Sequence, residues 1–354
     1  MSKSNELGQF FTKNYNYILQ SLNIPENVEN IIEPFCGEGD LLNFIQNKDK
    51  DKYKIECYDI DPKKGFVEKR DTLLNPPQYN NKFILTNPPY LARNKCKNKE
   101  IFDKYNVNDL YKCFIMNLIN DKCLGGIIII PLNFWSSIRK ADIELRKNFL
   151  QIYNIIHINI FEEQVFSDTS YTVCSFQFSL KGKEIKEIKE IKEIKEIKDN
   201  ISIKIYPSKK TMNVLLNSNN NYIIGGEIYY LKNTNAGKYK ITRLIKGQKS
   251  NTNILVKCID DNIDNKISMK YVADADIFFD DTENKSARTY ATLVIDPPID
   301  KNMQLKLVDE FNKFFNDYRE KYNSLFISNY RESNTIARKR ISFDLVYKIV
   351  EYLL

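Results

Sequence analysis

An uninterrupted apolar run, Gly125–Pro131 (GGIIIIP), is the feature that most constrains the fold of this chain. Four consecutive isoleucines cannot alternate between a buried face and a solvated face, so both faces of such a strand must be covered. Strands of this kind are typical of parallel sheets that carry helices on both sides. The run therefore predicts a central strand of a layered α/β domain.

Similar short apolar runs precede and follow this strand, and segments with helical spacing lie between some of them. The predicted strands are Asn30–Phe35, Tyr53–Asp59, Lys82–Thr86, Gly125–Pro131, Ile155–Phe161, Tyr171–Leu180 and Ile201–Tyr206, and the predicted helices are Leu41–Gln46 and Leu110–Asn120. Alternation of strands and helices predicts an α/β fold with a doubly wound, mostly parallel, Rossmann-like sheet.

Five tandem Lys-Glu-Ile units at Lys183–Ile197 interrupt this pattern. A period of three matches neither the 3.6 of a helix nor the 2 of a strand, so the isoleucines cannot form one apolar face. We expect a solvated insertion over residues 181–200, with a segment that binds a specific charged partner as the alternative.

The alternation of strands and helices is lost from about Tyr222 onward. Strands are predicted there at Asn253–Cys258 and Tyr290–Ile295, followed by a C-terminal pair of helices. The chain is therefore expected to contain a first domain at residues 1–220 and a smaller, mixed α+β domain at residues 221–354.

Composition limits the classes of function. Lys and Arg number 53 against 46 Asp and Glu, and the net charge of +7 suits a polyanionic partner or simply a basic surface. Seven scattered cysteines with no C-x-x-C pair indicate reduced thiols and no zinc site. The single histidine, His157, lies in an apolar run, which argues against Ser-His-Asp and Cys-His mechanisms. The chain also lacks an apolar run of the roughly 20 residues that a membrane helix needs and the apolar segment of a signal peptide, so a cytoplasmic location without membrane contact is expected.

Two motifs at the ends of the first two predicted strands suggest a nucleoside site. Glu33–Gly39 (EPFCGEG) contains a Gly-x-Gly turn, which lets a ligand approach the backbone at the N-terminus of a helix. Asp59 ends the next strand, at a spacing where an acid commonly binds ribose hydroxyls. Carboxyl ends of strands are where open α/β sheets bind ligands. A purely structural tight turn is the alternative.

A third motif, Asn87-Pro-Pro-Tyr90, ends the third predicted strand. Consecutive prolines fix φ and donate no N–H, so nearby carbonyls are free to accept hydrogen bonds from a ligand. The Asn87 side chain adds an acceptor, and Tyr90 adds an aromatic face. This combination suits a planar group that bears an NH₂, such as a nucleobase. Asn75-Pro-Pro and Asp296-Pro-Pro lack a following tyrosine and are interpreted as structural turns.

In this order the motifs resemble those of γ-class N6-adenine DNA methyltransferases, the S-adenosylmethionine-dependent enzymes of type II restriction-modification systems. The resemblance covers roughly residues 6–180, and the cofactor block precedes the catalytic block, which marks the γ class. The glycine loop departs from the family pattern at Glu38, where a small residue is usual. The blocks that carry the resemblance are Gly8–Thr12 (GQFFT), Glu33–Gly39, Asp59–Pro62, Asp71–Leu74, Asn87–Tyr90, Leu110–Phe114, Gly125–Pro131 and Phe166.

The resemblance implies S-adenosylmethionine as the cofactor of a catalytic domain at residues 1–220, and it implies no metal. Seven residues are expected around this cofactor. They are Thr12, Glu33, Cys36 and Gly37 at its methionine and ribose end, Asp59 at the ribose, Ile60 at the adenine face and Asp71 at the exocyclic amine.

The resemblance also implies a target adenine that is extruded from duplex DNA. Tyr90 and Phe166 would stack on the two faces of this base. The Asn87 side-chain oxygen and the Pro88 carbonyl, in the turn that Pro89 continues, would accept the two amino hydrogens and aim the nitrogen lone pair at the methyl group.

Duplex DNA is therefore the expected partner, and the smaller domain would recognise the target sequence. A cognate restriction endonuclease is a further candidate partner, and the protein is expected to be a monomer. The predicted DNA contacts are Arg93, Lys95 and Lys97 beside the catalytic motif, with a solvated loop as the alternative, and Arg331 and Arg338 in the second domain.

Other functions stay open at this point. A methyltransferase acting on RNA adenine or on a protein glutamine amide would face the same NH₂ chemistry. The enzymes that methylate release-factor glutamine would place a helical domain before the glycine loop, whereas this chain has only a short lead. A catalytically silent DNA-binding subunit is the non-enzymatic alternative. A dehydrogenase is disfavoured because the fuller Gly-x-Gly-x-x-Gly turn is absent.

Overall fold

A computed structural model describes residues 8, 12–46, 52–166, 171–182, 200–232, 237–260, 266–279, 289–332 and 337–354, without the side chains of residues 46 and 328–338. The Lys-Glu-Ile tract lies outside the described residues. Two compact units are present. The first consists of Met1–Phe134 and Arg139–Leu216, and the second of Trp135–Ile138 and Asn217–Leu354.

The first unit is built on a nine-stranded sheet with the order β3-β2-β1-β4-β5-β7-β6-β8-β9. Its strands are β1 Asn30–Glu33, β2 Lys54–Asp59, β3 Glu68–Lys69, β4 Phe83–Thr86, β5 Gly125–Pro131, β6 Tyr153–Phe161, β7 Val173–Leu180, β8 Asn200–Tyr206 and β9 Lys210–Leu215. β1 to β5 run parallel to one another, and β8 is parallel to β6. β7 lies antiparallel between β5 and β6, and β9 is antiparallel to β8.

Helices connect the strands of this sheet, and the predicted doubly wound, mostly parallel α/β fold is confirmed. The four isoleucines of β5 are fully buried, as the apolar run predicts. The helices of the first unit are α1 Tyr15–Ile18, α2 Leu42–Gln46, α3 Glu100–Tyr105, α4 Leu110–Asn120 and α5 Lys140–Ile152.

The strand order reverses at β1, which has β2 on one side and β4 on the other. This is the topological switch point of a doubly wound sheet, where a crevice opens beyond the carboxyl ends of the two diverging strands. The Glu33–Gly39 turn leaves β1, and the Asn87–Tyr90 segment leaves β4. The topology therefore brings the two sequence motifs to the same edge of the sheet.

The second unit is the expected smaller, mixed α+β region. Four antiparallel strands in the order β10-β13-β11-β12 are accompanied by a hairpin of β14 and β15 and by two helices. The elements are β10 Lys240–Arg243, β11 Ile254–Lys257, β12 Ser268–Tyr271, β13 Tyr290–Asp296, α6 Lys301–Tyr322, β14 Ser328–Glu332, β15 Ala337–Arg340 and α7 Phe343–Leu353. The helices begin at side-chain caps, because Asp300 accepts from the Met303 N–H at 2.8 Å and Ser342 from the Leu345 N–H at 3.2 Å. None of the described helices is both long enough and apolar enough to cross a membrane.

Candidate active site

The carboxyl ends of β1 and β4 are joined by a buried hydrogen bond. The Thr86 hydroxyl and the Phe35 N–H both donate to Oε1 of Glu33, the latter at 3.2 Å. Glu33 is 1% exposed, and burial raises the pKa of its carboxyl well above the ordinary value. A neutral carboxyl is favoured in such surroundings. Glu33 therefore ties two strand ends together and does not line the cavity described below.

The turn after β1 is fixed by the acid at the end of β2. The Gly37 N–H donates to Oδ2 of Asp59 at 2.8 Å, and the Asp61 N–H donates to Oδ1 at 2.8 Å. Gly37 has a φ of 54°, a left-handed conformation that glycine adopts without a steric penalty. Asp59 is buried, and its carboxylate fixes the conformation of the turn that follows β1.

A second acid, Asp71, follows β3 and closes the next turn. Its Oδ1 atom accepts from the N–H groups of Leu73 and Leu74, both at 3.1 Å. Ile60, beyond the end of β2, has 43% of its surface exposed. A planar ligand group could therefore pack against the Ile60 side chain, with the Asp71 carboxylate near the edge of the group.

The carboxamide of Asn87 is held from both ends. Its Nδ2 atom donates to the Thr12 hydroxyl at 3.0 Å, and its Oδ1 atom accepts from the Tyr90 hydroxyl. The same Tyr90 hydroxyl lies 2.8 Å from the Ile129 carbonyl oxygen, so two acceptors share one phenolic proton. Asn87 is 9% exposed and is one of the residues that line the cavity described below.

The backbone of the Asn87–Tyr90 segment is anchored by Gly8. The Tyr90 N–H donates to the Gly8 carbonyl at 2.9 Å. A Cβ atom on Gly8 would lie 2.7 Å from the Tyr90 carbonyl oxygen, and the φ of Gly8 is 68°. This close approach explains why a glycine occupies the position.

The aromatic side chains predicted to stack on the target base are buried. The Tyr90 ring is 1% exposed and meets Tyr111 and Tyr171 edge-on, at centroid distances of 6.2 and 6.1 Å. Burial raises the pKa of the Tyr90 phenol well above its ordinary value. Phe166 is 5% exposed, and its carbonyl accepts from the side chain of Gln164 at 2.9 Å. Stacking on these rings therefore requires their neighbours to move.

A cavity of about 300 Å³ lies at the switch point. Eight of the predicted site residues line it, whereas Glu33, Pro88, Tyr90 and Phe166 do not. The eight are Thr12, Cys36, Gly37, Asp59, Ile60, Asp71, Asn87 and Pro89.

Other lining residues were not found by sequence reasoning. Glu38 and Asp40 come from the glycine turn, Leu91 follows the catalytic motif, Leu110 begins α4, and Arg70 precedes Asp71. Burial, followed by the charge of Glu38, raises the pKa of Asp40. In the sequence, only Glu38 indicated these two acids, because it departs from the pattern of the family that the chain resembles.

The basic residues predicted to contact DNA differ in their surroundings. Arg93 lies in a short 3₁₀ turn and forms an exposed ion pair with Asp103 at 2.6 Å. Lys95 and Lys97 are exposed close to the catalytic motif. In the second unit, Arg331 of β14 pairs in register with Arg338 of β15, but their side chains lie outside the described part of the chain. Across the described residues, no group of three His, Cys, Asp or Glu side chains could hold a metal ion.

Comparison with known proteins gives structural likenesses only. No protein-family model matches the chain, and no curated protein matches it. One similar structure is described as the modification subunit of a type I restriction enzyme from Vibrio vulnificus YJ016, with 14% identity, a TM-score of 0.42, and coverage of 56% of this chain and 47% of the other. Another is the methyltransferase subunit of a type I restriction-modification system from Streptococcus thermophilus, with 14% identity, a TM-score of 0.41, and coverage of 59% and 50%.

A third similar structure is the type IIG restriction endonuclease BpuSI, with 12% identity, a TM-score of 0.40, and coverage of 71% of this chain and 37% of the other. The matched region thus spans half or less of the length of these three proteins. Likenesses at this level carry no argument about activity. The functional conclusion rests on the geometry at the switch point.

Proposed function

We propose that this protein is an S-adenosylmethionine-dependent methyltransferase that modifies the N6 amino group of adenine in duplex DNA. One observation carries the proposal. Asn87, followed by its rigid Pro-Pro segment, lines the same cavity as Gly37, Asp59 and Asp71. A nucleoside cofactor and a side chain that accepts hydrogens from the target amine would therefore share one space at the switch point.

The size of the cavity and the side chains that line it fit this cofactor. A volume of about 300 Å³ is within the range of small-ligand pockets. Asp59, Ile60 and Asp71 all line the cavity. The Asp59 carboxylate would accept from the ribose hydroxyls, Ile60 would pack on the adenine, and Asp71 would accept from the adenine amine. Glu38 and Asp40 suit the positive charge of the methionine end. When bound, the cofactor supplies an electrophilic methyl group on a sulfonium.

Asn87 would orient the reacting nitrogen. Its Oδ1 atom and the Pro88 carbonyl would each accept one hydrogen of the target amine, which weakens conjugation of the nitrogen lone pair with the ring. The Nδ2 bond to Thr12 keeps this oxygen from rotating away. Holding two reactants in line supplies roughly 7–11 kcal/mol of a barrier. No strong base is needed, because the nitrogen releases its proton to water after methyl transfer.

Tyr90 would change partners when the base enters. Its hydroxyl has a second acceptor ready in Ile129 at 2.8 Å, so it can release the Asn87 oxygen without losing a buried hydrogen bond. Tyr90 and Phe166 would then stack on the base at about 1–3 kcal/mol per contact, which offsets part of the cost of extrusion.

Duplex DNA would be bound through phosphate contacts from exposed cations. Arg93, Lys95 and Lys97 follow the catalytic motif directly and would lie near the extruded base. The second unit would recognise the target sequence, with Arg331 and Arg338 as candidate contacts. A cognate restriction endonuclease would complete such a system.

Methyl transfer from radiolabelled cofactor to three substrates tests the proposal. Duplex DNA should be labelled on adenine N6, whereas RNA and a protein with an exposed glutamine amide should not. Asn87→Ala should lower the label on DNA more than a hundredfold. The matched control is Asn75→Ala, which changes the exposed first residue of another Asn-Pro-Pro and leaves its backbone bond to Arg70 in place.

If RNA or the glutamine amide is labelled in preference to DNA, duplex DNA is not the substrate. Equal losses in Asn87→Ala and Asn75→Ala would remove Asn87 from the chemistry. An absence of labelling in all substrates, together with no cofactor binding in calorimetry, would favour the silent DNA-binding subunit.

A further inference from the structure

A buried carboxylate that belongs to none of the sequence motifs contacts the segment after the catalytic motif. Asp109 is 9% exposed and precedes α4. Its Oδ1 atom accepts from the N–H of Leu91 at 3.1 Å. The N–H groups of Leu110 and Tyr111, in the first turn of α4, favour its charged form and lower its pKa. The carboxylate of Asp109 thus binds the catalytic segment from the start of α4.

Backbone hydrogen bonds strengthen this connection. Ala92 and Asp109 form an isolated antiparallel bridge. The Leu110 N–H donates to the Leu91 carbonyl at 3.2 Å, and the Arg93 N–H donates to the Asn108 carbonyl at 2.9 Å. The chain that leaves Tyr90 is therefore fixed to the start of α4 over three consecutive residues.

This connection lies at the wall of the cavity. Leu91 and Leu110, which Asp109 holds together, both line the cavity that contains Asn87. The Asn87–Tyr90 segment is also anchored by the Gly8 carbonyl at the Tyr90 N–H and by the side-chain bonds of Asn87 and Tyr90. A loss of charge at Asp109 would weaken the hold on the residue that directly follows this segment.

The charge of Asp109 is balanced inside the protein. Lys112, one turn along α4, attracts it and pairs with Asp142 of α5 at 2.6 Å, where both side chains are 8% exposed. The N-terminus of α4 also favours a negative charge. An ionised carboxylate makes stronger N–H···O bonds than a neutral acceptor does. The charge itself therefore tightens the hold on Leu91.

We propose that Asp109 is a positioning residue for methyl transfer, whose carboxylate fixes Leu91 and so aims Asn87 into the cofactor cavity, and whose protonation loosens that aim. This inference rests on the proposed function. Asp109 touches neither the cofactor nor the base, so its effect should fall on the rate of transfer and not on cofactor affinity.

If Asp109 acts in this way, the rate of methyl transfer should depend on pH. Burial is the main cause that raises the pKa of Asp109, to about 6, and Lys112 and the backbone N–H groups partly oppose it. The rate should therefore rise with pH through about 6 and level off above 7. The titratable and charged groups around Asp109 are Lys112, Tyr111 and Cys113 on α4, Tyr90 in the loop, Tyr171 before β7, and Asp142 and Arg146 on α5.

These neighbours do not explain a change near pH 6. Burial raises the pKa of the three phenols, brings that of the Cys113 thiol to about 12 and lowers that of Arg146 to about 10. The three phenols, this thiol and Arg146 therefore keep one charge state between pH 5 and 8. Three groups elsewhere need controls, namely Glu33 and Asp40, whose pKa burial raises, and His157, whose pKa burial lowers.

The test is the single-turnover rate of methyl transfer to duplex DNA between pH 5 and 8.5, at saturating cofactor. The wild-type rate should fall as the pH drops through 6 and should approach, near pH 5, a rate about five- to tenfold below its value at pH 8. Asp109→Asn keeps an acceptor for Leu91 but lacks the charge, so it should be about five- to tenfold slower at pH 8 and independent of pH between 5 and 7. Its KM for the cofactor should change less than twofold.

Asp142→Asn is the matched control, because it removes a buried carboxylate that shares Lys112 but belongs to α5. It should keep the fall in rate below pH 6, as should Glu33→Gln, Asp40→Asn and His157→Gln whatever their absolute rates. A wild-type rate that is flat through pH 6 overturns the proposal by itself. Equal rate losses in Asp109→Asn and Asp142→Asn would assign Asp109 a merely structural role. A wild type that methylates no DNA at any pH contradicts the proposed function, and the role of Asp109 with it.

Discussion

Replacing Asp109 by asparagine should stabilise the protein at neutral pH, although it slows the reaction. The pKa of the carboxyl rises from an ordinary value of about 3.9 to about 6. Each pKa unit corresponds to about 1.36 kcal/mol, so the folded protein holds the ionised form at a cost of about 3 kcal/mol relative to the neutral acid. Asparagine removes this cost, keeps an acceptor for the Leu91 N–H, and leaves Lys112 paired with Asp142 at 2.6 Å.

The direction of the pKa shift determines the pH range in which Asp109 changes the stability of the protein. A raised pKa means that the folded protein takes up a proton more readily than the unfolded chain does, so Asp109 contributes stability below about pH 4 and loses that contribution as the pH rises through 6. Asp109→Asn should therefore be up to about 3 kcal/mol more stable than the wild type at pH 8, and nearly equal to it at pH 4. A difference that stays constant with pH would refute the reasoning.

Urea unfolding followed by circular dichroism at several pH values measures this difference in the free energy of unfolding. Asp142→Asn is again the control, because Asp109 remains in place and its pH-dependent contribution should persist. A lower stability of Asp109→Asn at pH 8 would also contradict the account, because it would mean that the charge gains more from Lys112 and the helix than it loses by burial.

Three further outcomes are expected. Gly8→Ala should lower the transfer rate more than tenfold, because its Cβ would lie 2.7 Å from the Tyr90 carbonyl; a wild-type rate would show that Gly8 does not anchor the loop. Lys112→Met should lower the free energy of unfolding by about 3–5 kcal/mol, because it removes the lysine that pairs with the buried Asp142 carboxylate, and Asp142→Leu in the same chain should restore most of the loss in urea unfolding. Lys95→Ala should reduce the slope of log affinity for DNA against log salt by about 0.9 if this lysine neutralises one phosphate, and an unchanged slope would exclude that contact.

The strands around the switch point could be predicted from the sequence because each combines an apolar run with a distinct stop. The four isoleucines of β5 run up to Pro131, the Asn30–Phe35 run is followed by Cys-Gly-Glu-Gly, and β4 is followed by two prolines. β1 itself ends at Glu33, short of the predicted Phe35, because Pro34 lacks the N–H that would continue the ladder. Such local signals act within a few residues, where hydrophobic burial and proline geometry decide the conformation. The meeting of the first two motifs then follows from sheet topology alone.

Other elements gave weaker signals or none. β9, Lys210–Leu215, was not predicted, because Val214 is its one fully buried residue and an edge strand needs little apolar pattern. The helix α5 was also missed, although Leu145 and Phe149, four residues apart, are both buried on one face. Here the periodic signal was present in the sequence.

Within the site, the sequence could indicate which residue types meet but not which way they point. Tyr90 was expected to offer an aromatic face, yet its ring packs among other aromatic rings and its hydroxyl reaches Asn87. Rotamers of this kind depend on contacts far apart in the chain, such as Ile129 and Tyr171. Asp109 was missed for the same reason, since a single acid before an apolar helix resembles any N-cap.

The central claim is that one cavity holds the cofactor beside Asn87. A crystal structure of the protein with S-adenosylhomocysteine tests it most directly. The account predicts the ribose hydroxyls on Asp59, the adenine against Ile60, and the sulfur facing the Asn87 carboxamide. Binding at another place, or an Asn87 side chain turned away from the sulfur, would contradict it.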